Sequence, residues 1–267
     1  MKQEQTVILF DMDGTLTEPR QKIKKPTIMA LRELAKYADL GIISGSGLDY
    51  ITQQCNEMFD MGCVPISSVQ LLPCNGTKHL VWKGSAYESM HNANMLTEIG
   101  KTNYRKILSQ VFECQALLCK LYPDLPYSGT FFHYRGSLLN WCPIGRAATN
   151  EQRDEWKKWD EDYHIREIYF DELKKFISSA NIPVTVALGG STSFDIYPNG
   201  WDKTYGLKHF PGADIYFVGD RCDEGGNDKH IYDELAKLGR AWKTTGPEET
   251  VKIINEIIKL VSAEKIP

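Results

Sequence analysis

The sequence predicts an α/β fold with a mainly parallel sheet, interrupted by an inserted α+β unit with its own antiparallel sheet. Three observations carry this. The segments at 6–11, 40–44 and 213–218 are short, continuous apolar runs rich in β-branched residues, the pattern of strands buried on both faces. Segments of helical periodicity follow the first two, which is strand–helix alternation. Between them the middle of the chain changes grammar to helix, hairpin, helix, hairpin.

In chain order, 6–11 reads as the first strand and ends in acid, with Asp13-Gly14-Thr15 as a turn signal. Ile28, Leu31, Leu34 and Ala35 recur at helical spacing within 26–37. A second strand at 40–44 closes on Ser44-Gly45-Ser46-Gly47, and a helix is expected from about 48 to 59. Residues 91–120 read as largely helical. Strands at 130–135 and 138–142 flank Gly136-Ser137, and strands at 184–188 and 192–197 flank Gly189-Gly190; both are two-residue hairpin signals. The charged stretch 150–180 between them reads as helix. The α/β grammar returns at 213–218, which runs into Gly219-Asp220. Pro247 then opens a helix with Val251, Ile254, Ile258 and Val261 on one face and Glu248 and Glu249 in its first turn, where acids suit the helix dipole. The expected domains are 1–86 with 198–267 as a core, and 87–197 as the insert.

Composition narrows the function classes. The chain has 267 residues, 42% hydrophobic and 25% charged, an ordinary soluble mixture. A net charge of −4 lacks the basic footprint of a nucleic-acid binder. No apolar run reaches a membrane span and the polar N-terminus does not read as a signal peptide, so no membrane association and a cytoplasmic location are expected. Seven cysteines, at 55, 63, 74, 114, 119, 142 and 222, show no Cys-x-x-Cys spacing and read as free thiols.

The chemistry concentrates in Asp11-Met12-Asp13-Gly14-Thr15, at the carboxyl end of the first strand. Ligands of open α/β sheets bind beyond those strand ends. Two carboxylates one residue apart can divide the work, one attacking phosphorus and the other moving a proton. An anionic nucleophile facing an anionic phosphate calls for a divalent cation, and an oxygen-only site favours Mg2+.

These residues resemble the haloacid dehalogenase-like superfamily, and further motifs follow in its order. Ser44 or Ser46, after a buried strand, fits the phosphate-holding hydroxyl. Lys203 in Gly200-Trp201-Asp202-Lys203 fits the charge-offsetting lysine. Gly219-Asp220, with Gly225-Gly226-Asn227-Asp228 beyond, fits the acidic metal motif. Thr15 to Ile23, Gly129-Thr130-Phe131, Pro143-Ile144-Gly145-Arg146, Ser193-Phe194-Asp195 and Gly200 to Lys203 are similar to the eukaryotic-type phosphomannomutase family, a resemblance that runs from Ile8 to about Thr250.

The resemblance implies a Rossmann-like haloacid dehalogenase core with the insert acting as a substrate-selecting cap. It implies Asp11 as nucleophile, Asp13 as acid/base and Mg2+ held by Asp11, Asp220 and the backbone carbonyl of Asp13, with Ser44 and Lys203 completing the catalytic set. Arg20, Arg135, Arg146, Arg153, Ser193 and Asp195 match positions that bind a sugar phosphate. Arginine suits that grip, because its fork makes paired charge-assisted bonds to the phosphate that is not reacting. Strand alternation is expected to aim Arg135 and Arg146 at a shared pocket. The family further implies a hexose 1,6-bisphosphate activator, a sugar-phosphate partner, a homodimer through the cap and a place in GDP-mannose biosynthesis. The expected reaction is interconversion of mannose 6-phosphate and mannose 1-phosphate. A magnesium-dependent sugar-phosphate phosphatase on the same scaffold is the alternative, and a catalytically silent sugar-phosphate binder a third reading. Two departures stand out: Cys74 in Pro73-Cys74-Asn75-Gly76 replaces an acid, and the stretch 61–68 is unlike the family. No second, structural cation site near 232–237 is expected, because Lys237 stands where a small polar residue would.

Overall fold

The computed structural model describes residues 5–60 and 64–263. The chain forms two compact units, one ending at Asn92 and resuming at Trp201, the other spanning Ala93–Gly200.

In the first unit, β1 (Thr6–Phe10) leads to α1 (Lys25–Leu34), β2 (Asp39–Ile43), α2 (Leu48–Cys55) and the single turn α3 (Glu57–Asp60). A meander of β3 (Val69–Leu72), β4 (Lys78–Trp82) and β5 (Tyr87–Asn92) follows. After the second unit come a 3-10 helix (Lys203–His209), β10 (Asp214–Gly219), α7 (Lys229–Ala236), β11 (Ala241–Lys243) and α8 (Pro247–Ala263). Strands of the second unit are numbered in between.

These strands make one seven-stranded sheet of order β11-β10-β1-β2-β3-β4-β5. The strands from β11 to β3 pair in parallel, and β4 and β5 add an antiparallel edge. The apolar runs are buried on both sides because helices cover both faces. Ile8 and Phe10 pack with Ile28, Leu31, Ile254 and Ile257 of α1 and α8 on one face. Val7 and Leu9 pack with Ile231, Leu235 and Phe210 on the other. Two-residue alternation within a continuous apolar strand thus feeds two cores.

The second unit has a four-stranded antiparallel sheet of order β6-β7-β9-β8, made by β6 (Phe132–Tyr134), β7 (Leu139–Trp141), β8 (Val184–Gly189) and β9 (Ser193–Pro198). One face is covered by α4 (Met95–Leu121) and α6 (Ile165–Ser179), and α5 (Asn150–Tyr163) adds Trp156 to the same core. Trp141 stacks on Phe194 with ring centroids 4.7 Å apart, and Tyr169 meets Trp141 edge-on.

Several expectations are corrected here. The first unit runs through Asn92, past the expected boundary at 86/87, because β5 pairs antiparallel with β4 and so belongs to the large sheet. The second boundary falls after Gly200, where 197/198 was expected. The helix expected from 91 starts at Met95, with Asn94 capping it through Thr97 N–H, and it kinks at Gly100, where φ is 76°. The single helix expected at 150–180 is two, broken at His164 in the left-handed conformation (φ 51°). A Thr149–Gln152 capping box starts the first of them. Among the described residues, no helix is long and apolar enough to cross a membrane. The six described cysteines are free thiols; Cys63, and with it the start of the unusual stretch 61–68, lies outside the described residues.

Candidate active site

The register of the sheet assembles the site. Phe10 pairs with Val218 of β10 and with Ile42 of β2. Asp11 therefore stands at the carboxyl edge of β1, with Ser44 and Asp220 each one residue past the positions level with it. Parallel strands put all three loops at one edge, where an open α/β sheet binds ligands. Asp11 N–H donates to the Val218 carbonyl at 2.9 Å, so the backbone of Asp11 is held by the strand that delivers Asp220. The chain then turns tightly: the N–H groups of Thr15, Leu16 and Thr17 all point at the Met12 carbonyl, and Gly14 N–H donates to the Thr17 carbonyl. Gly14 has φ +89°, and a Cβ there would run into the Asp220 carboxylate. Glycine is thus required twice, for the turn and for the close approach of Asp220.

Lys203 opens the 3-10 helix, which Asp202 caps through Thr204. It is 1% exposed, and its ammonium bridges the carboxylates of Asp11 and Asp228. Asp228 is fully buried and also accepts from Arg221 N–H at 3.1 Å. Burial opposes charge on Lys203, but Asp11 and Asp228 outweigh it and raise its pKa. Burial pushes the Asp11 pKa well up, Lys203 pulls it back, and Asp228 and Asp220 push it further. Asp220 is pushed up to about 6, by burial and then by Asp228.

Three carboxylates, Asp11, Asp220 and Asp228, offer oxygens within 4.8 Å of one another. Asp220 Oδ1 is buried without a hydrogen-bond partner. Buried polar atoms are rarely left so. An acid cluster with a net negative charge, an orphaned carboxylate oxygen and pKa values raised by burial and then by mutual repulsion fit a divalent cation, which supplies the missing charge and coordinates oxygen. The Asp13 side chain is not in this cluster. Its Oδ1 instead accepts from Arg20 N–H at 3.1 Å and from Gln54 Nε2 at 3.0 Å. Ser44 is buried at the tip of β2, and its Oγ accepts from Ser46 N–H at 3.1 Å. That geometry places Ser44 directly at the strand end and Ser46 two residues along the loop. Asp228 ends the acidic motif read from the sequence but was given no role of its own there, and Gln54 was not singled out.

In the second unit, the face of the sheet opposite the helices carries a polar set. Asn140 pairs across the sheet with Asp195, so their side chains share a face; Asn140 Nδ2 donates to Asp195 Oδ1 at 2.7 Å. Ser193, two residues before Asp195, has the same facing, and its hydroxyl donates to the Gly189 carbonyl at 2.7 Å. Arg146 reaches this face by a turn and not by the strand alternation expected from the sequence. Arg146 lies beyond β7, and Gly145 (φ +89°) packs its Cα against the Gly129 backbone, folding the chain back so that Arg146 Nη1 donates to Asn140 Oδ1 at 3.3 Å. Arg153 on α5 donates to Thr192 Oγ1 at 2.7 Å and to the Arg146 and Ala148 carbonyls. Arg135 is buried just past β6, its N–H closing the hairpin on the Leu138 carbonyl. Arg20 belongs to the first unit, beside Asp13, with φ 65°. Asn140 joins Arg146 to Asp195, a role the sequence did not reveal.

The profile of the eukaryotic phosphomannomutase family matches residues 27–260. The chain belongs to that family. A phosphomannomutase of Drosophila melanogaster is 30% identical over 271 residues, covering 97% of this chain and 98% of its own. One of Solanum lycopersicum is 33% identical over 248 residues, 92% of this chain and 91% of its own. Membership makes the chain an enzyme of the isomerase class. Among solved structures, IMP-bound Plasmodium falciparum IMP-nucleotidase superposes with a TM-score of 0.65 at 13% identity, covering 97% of this chain and 69% of that one. Aspergillus fumigatus trehalose-6-phosphate phosphatase gives 0.51 at 16%, covering 96% and 93%. At such identities the likeness is one of fold: a haloacid dehalogenase-like core with an inserted α+β unit.

Proposed function

We propose that the chain interconverts mannose 6-phosphate and mannose 1-phosphate, primed by a hexose 1,6-bisphosphate. The observation that carries this is the buried Asp11, charge-paired with Lys203 at the strand edge, beside the orphaned oxygen of Asp220. Asp11 attacks a phosphorus of the bisphosphate; its Oδ–P bond forms as the bond from phosphorus to the sugar oxygen breaks. Asp13 gives its proton to that sugar oxygen, releasing a hexose monophosphate. In the return step a hydroxyl of a monophosphate attacks the aspartyl phosphate, Asp13 takes the hydroxyl proton, and Asp11 is regenerated. Lys203 offsets charge on Asp11, and Ser44 donates to a phosphate oxygen. Asp11, Asp220 and the Asp13 carbonyl would hold Mg2+, which would supply the positive charge that lets two anions meet.

Residues 93–200 select the sugar in this reading. Arg135, Arg146 and Arg153, with Ser193 and Asp195, are the groups of that unit suited to a phosphate and to sugar hydroxyls. Arg20 contributes from beside Asp13. The support is the linked set Arg146–Asn140–Asp195, which fixes a cation and an acceptor on one face.

A coupled assay tests the proposal: mannose 1-phosphate with and without glucose 1,6-bisphosphate and Mg2+, with inorganic phosphate followed in parallel. The expected result is 6-phosphate product that depends on the bisphosphate, with little phosphate release, and its loss in Asp11→Asn. Steady release of free sugar and phosphate without 6-phosphate product would replace the mutase by the phosphatase reading.

A further inference from the structure

The buried residues of α2 are Ile51, Cys55 and, between them, an amide: Gln54, which is 2% exposed. A glutamine at a core position of an amphipathic helix is costly unless both ends of its amide are bonded. Here both are. Gln54 Nε2 donates to Asp13 Oδ1 at 3.0 Å, and Gln54 Oε1 accepts from Thr17 Oγ1 at 2.7 Å. The orientation follows from the partners: turning the amide over would set its oxygen against a carboxylate oxygen. The main chain of the same residue accepts from Ile23 N–H at 2.9 Å, so one residue of α2 is bonded to the loop after Asp11 at three points, from Asp13 to Ile23.

We infer that Gln54 is a positioning residue for the proton-transferring carboxylate. Its amide, together with Arg20 N–H, holds Asp13 by Oδ1 and leaves Oδ2 to exchange the proton with the sugar oxygen. Thr17 keeps the amide in the donating orientation. The inference rests on the acid/base role proposed above for Asp13. Its chemical signature is selective. An alkoxide leaving from phosphorus needs a proton from a correctly placed acid, whereas an activated aryl oxide leaves without one.

The test compares wild type with Gln54→Met, which keeps chain length and apolar bulk but has no donor. Two substrates are used with Mg2+: mannose 1-phosphate primed with glucose 1,6-bisphosphate, whose sugar oxygens exchange a proton with Asp13, and p-nitrophenyl phosphate, whose leaving group needs none. In the variant kcat for the hexose phosphate is expected to fall about 10- to 100-fold with KM little changed, the scale of misplacing a reacting group by roughly 1 Å. The first-turnover release of p-nitrophenolate, which needs no acid and precedes attack on the aspartyl phosphate, is expected to fall less than about threefold. Equal falls on the two substrates would mark Gln54 as a packing residue, and no fall on either would remove its role; each overturns the inference. Should Gln54→Met fail to fold, Thr17→Val carries the same test, because it frees the amide to turn; the same split is expected with a smaller factor, and its absence overturns the inference equally. A wild-type protein inert toward hexose phosphates would instead sink the proposed function itself.

Discussion

Lys203→Met isolates the electrostatics of the site. Lys203 is buried between Asp11 and Asp228, and Asp220 adds a third carboxylate within 4.8 Å. Methionine fills nearly the same space without charge. Removing one partner of a buried ion pair costs about 3–5 kcal/mol, because the other charge stays buried and unpaired. Two carboxylates lose their cation here, so the upper part of that range is expected at pH 8. The cost has a pH signature. Burial and mutual repulsion raise the Asp11 and Asp220 pKa values in the folded protein, and removing the ammonium raises them further. Protonation at lower pH relieves the repulsion, so the destabilisation shrinks as pH falls toward 5, at roughly 1.4 kcal/mol for each unit over which one carboxylate stays protonated. A divalent cation fitting the cluster relieves it too, by about 2.7 kcal/mol at a hundredfold excess over its Kd. The assay is urea unfolding followed by tryptophan fluorescence, since the chain has six tryptophans, at pH 8 and pH 5.5, in EDTA and in MgCl2. Lys203→Met/Asp228→Leu should recover more than half of the loss, since it also removes an unpaired charge. A loss under about 1 kcal/mol at pH 8, or an equal loss at both pH values, would refute this account of the cluster.

Two further outcomes follow from other parts of the molecule. His79 stacks on His209 at 4.5 Å, with His91 5.2 Å from His209, and burial, His209 and His91 push the His79 pKa down to about 4. The folded pKa lies below the unfolded value near 6.5, so the neutral ring's stability is complete above about pH 6.5 and is lost as pH falls toward 4, by at most about 3 kcal/mol. Lys208 adds to the same repulsion at His91. Urea midpoints between pH 7.5 and 4.5 should therefore fall more steeply for wild type than for His79→Gln, and parallel curves would count against it. Arg153→Met removes the donors that hold Thr192 and the Arg146 and Ala148 carbonyls. KM for the sugar phosphate is expected to rise by tenfold or more with kcat within a few-fold, from the loss of charge-assisted bonds of about 1.5–3 kcal/mol each; steady-state kinetics with an unmoved KM would show that Arg153 is dispensable.

The parallel core was legible because strands buried on both faces must be apolar throughout. Thr6 to Phe10 and Asp214 to Gly219 leave no other reading that ends in a carboxylate. The meander was not legible. β4 and β5 carry Lys78, His79, Glu88, Ser89 and His91, since they form an edge with much exposed surface and so lack a strong alternation. The break at His164 was hidden for a similar reason: α5 and α6 both favour helix, and only a left-handed residue, unremarkable as a letter, separates them.

At the site, the sequence alone determined which residues sit at strand tips, because hydrophobic burial fixes where a strand must end and a turn begin. Asp11, Asp13, Ser44 and Asp220 were readable for that reason. Only the tertiary structure decided what those carboxylates touch. Asp228 meets Asp11 through Lys203, Gln54 reaches Asp13 from 41 residues away, and Asn140 joins Arg146 to Asp195 from 55 residues away. Such contacts are set by sheet register and helix packing, which sum many weak apolar interactions spread over the chain, so no local pattern of letters announces them.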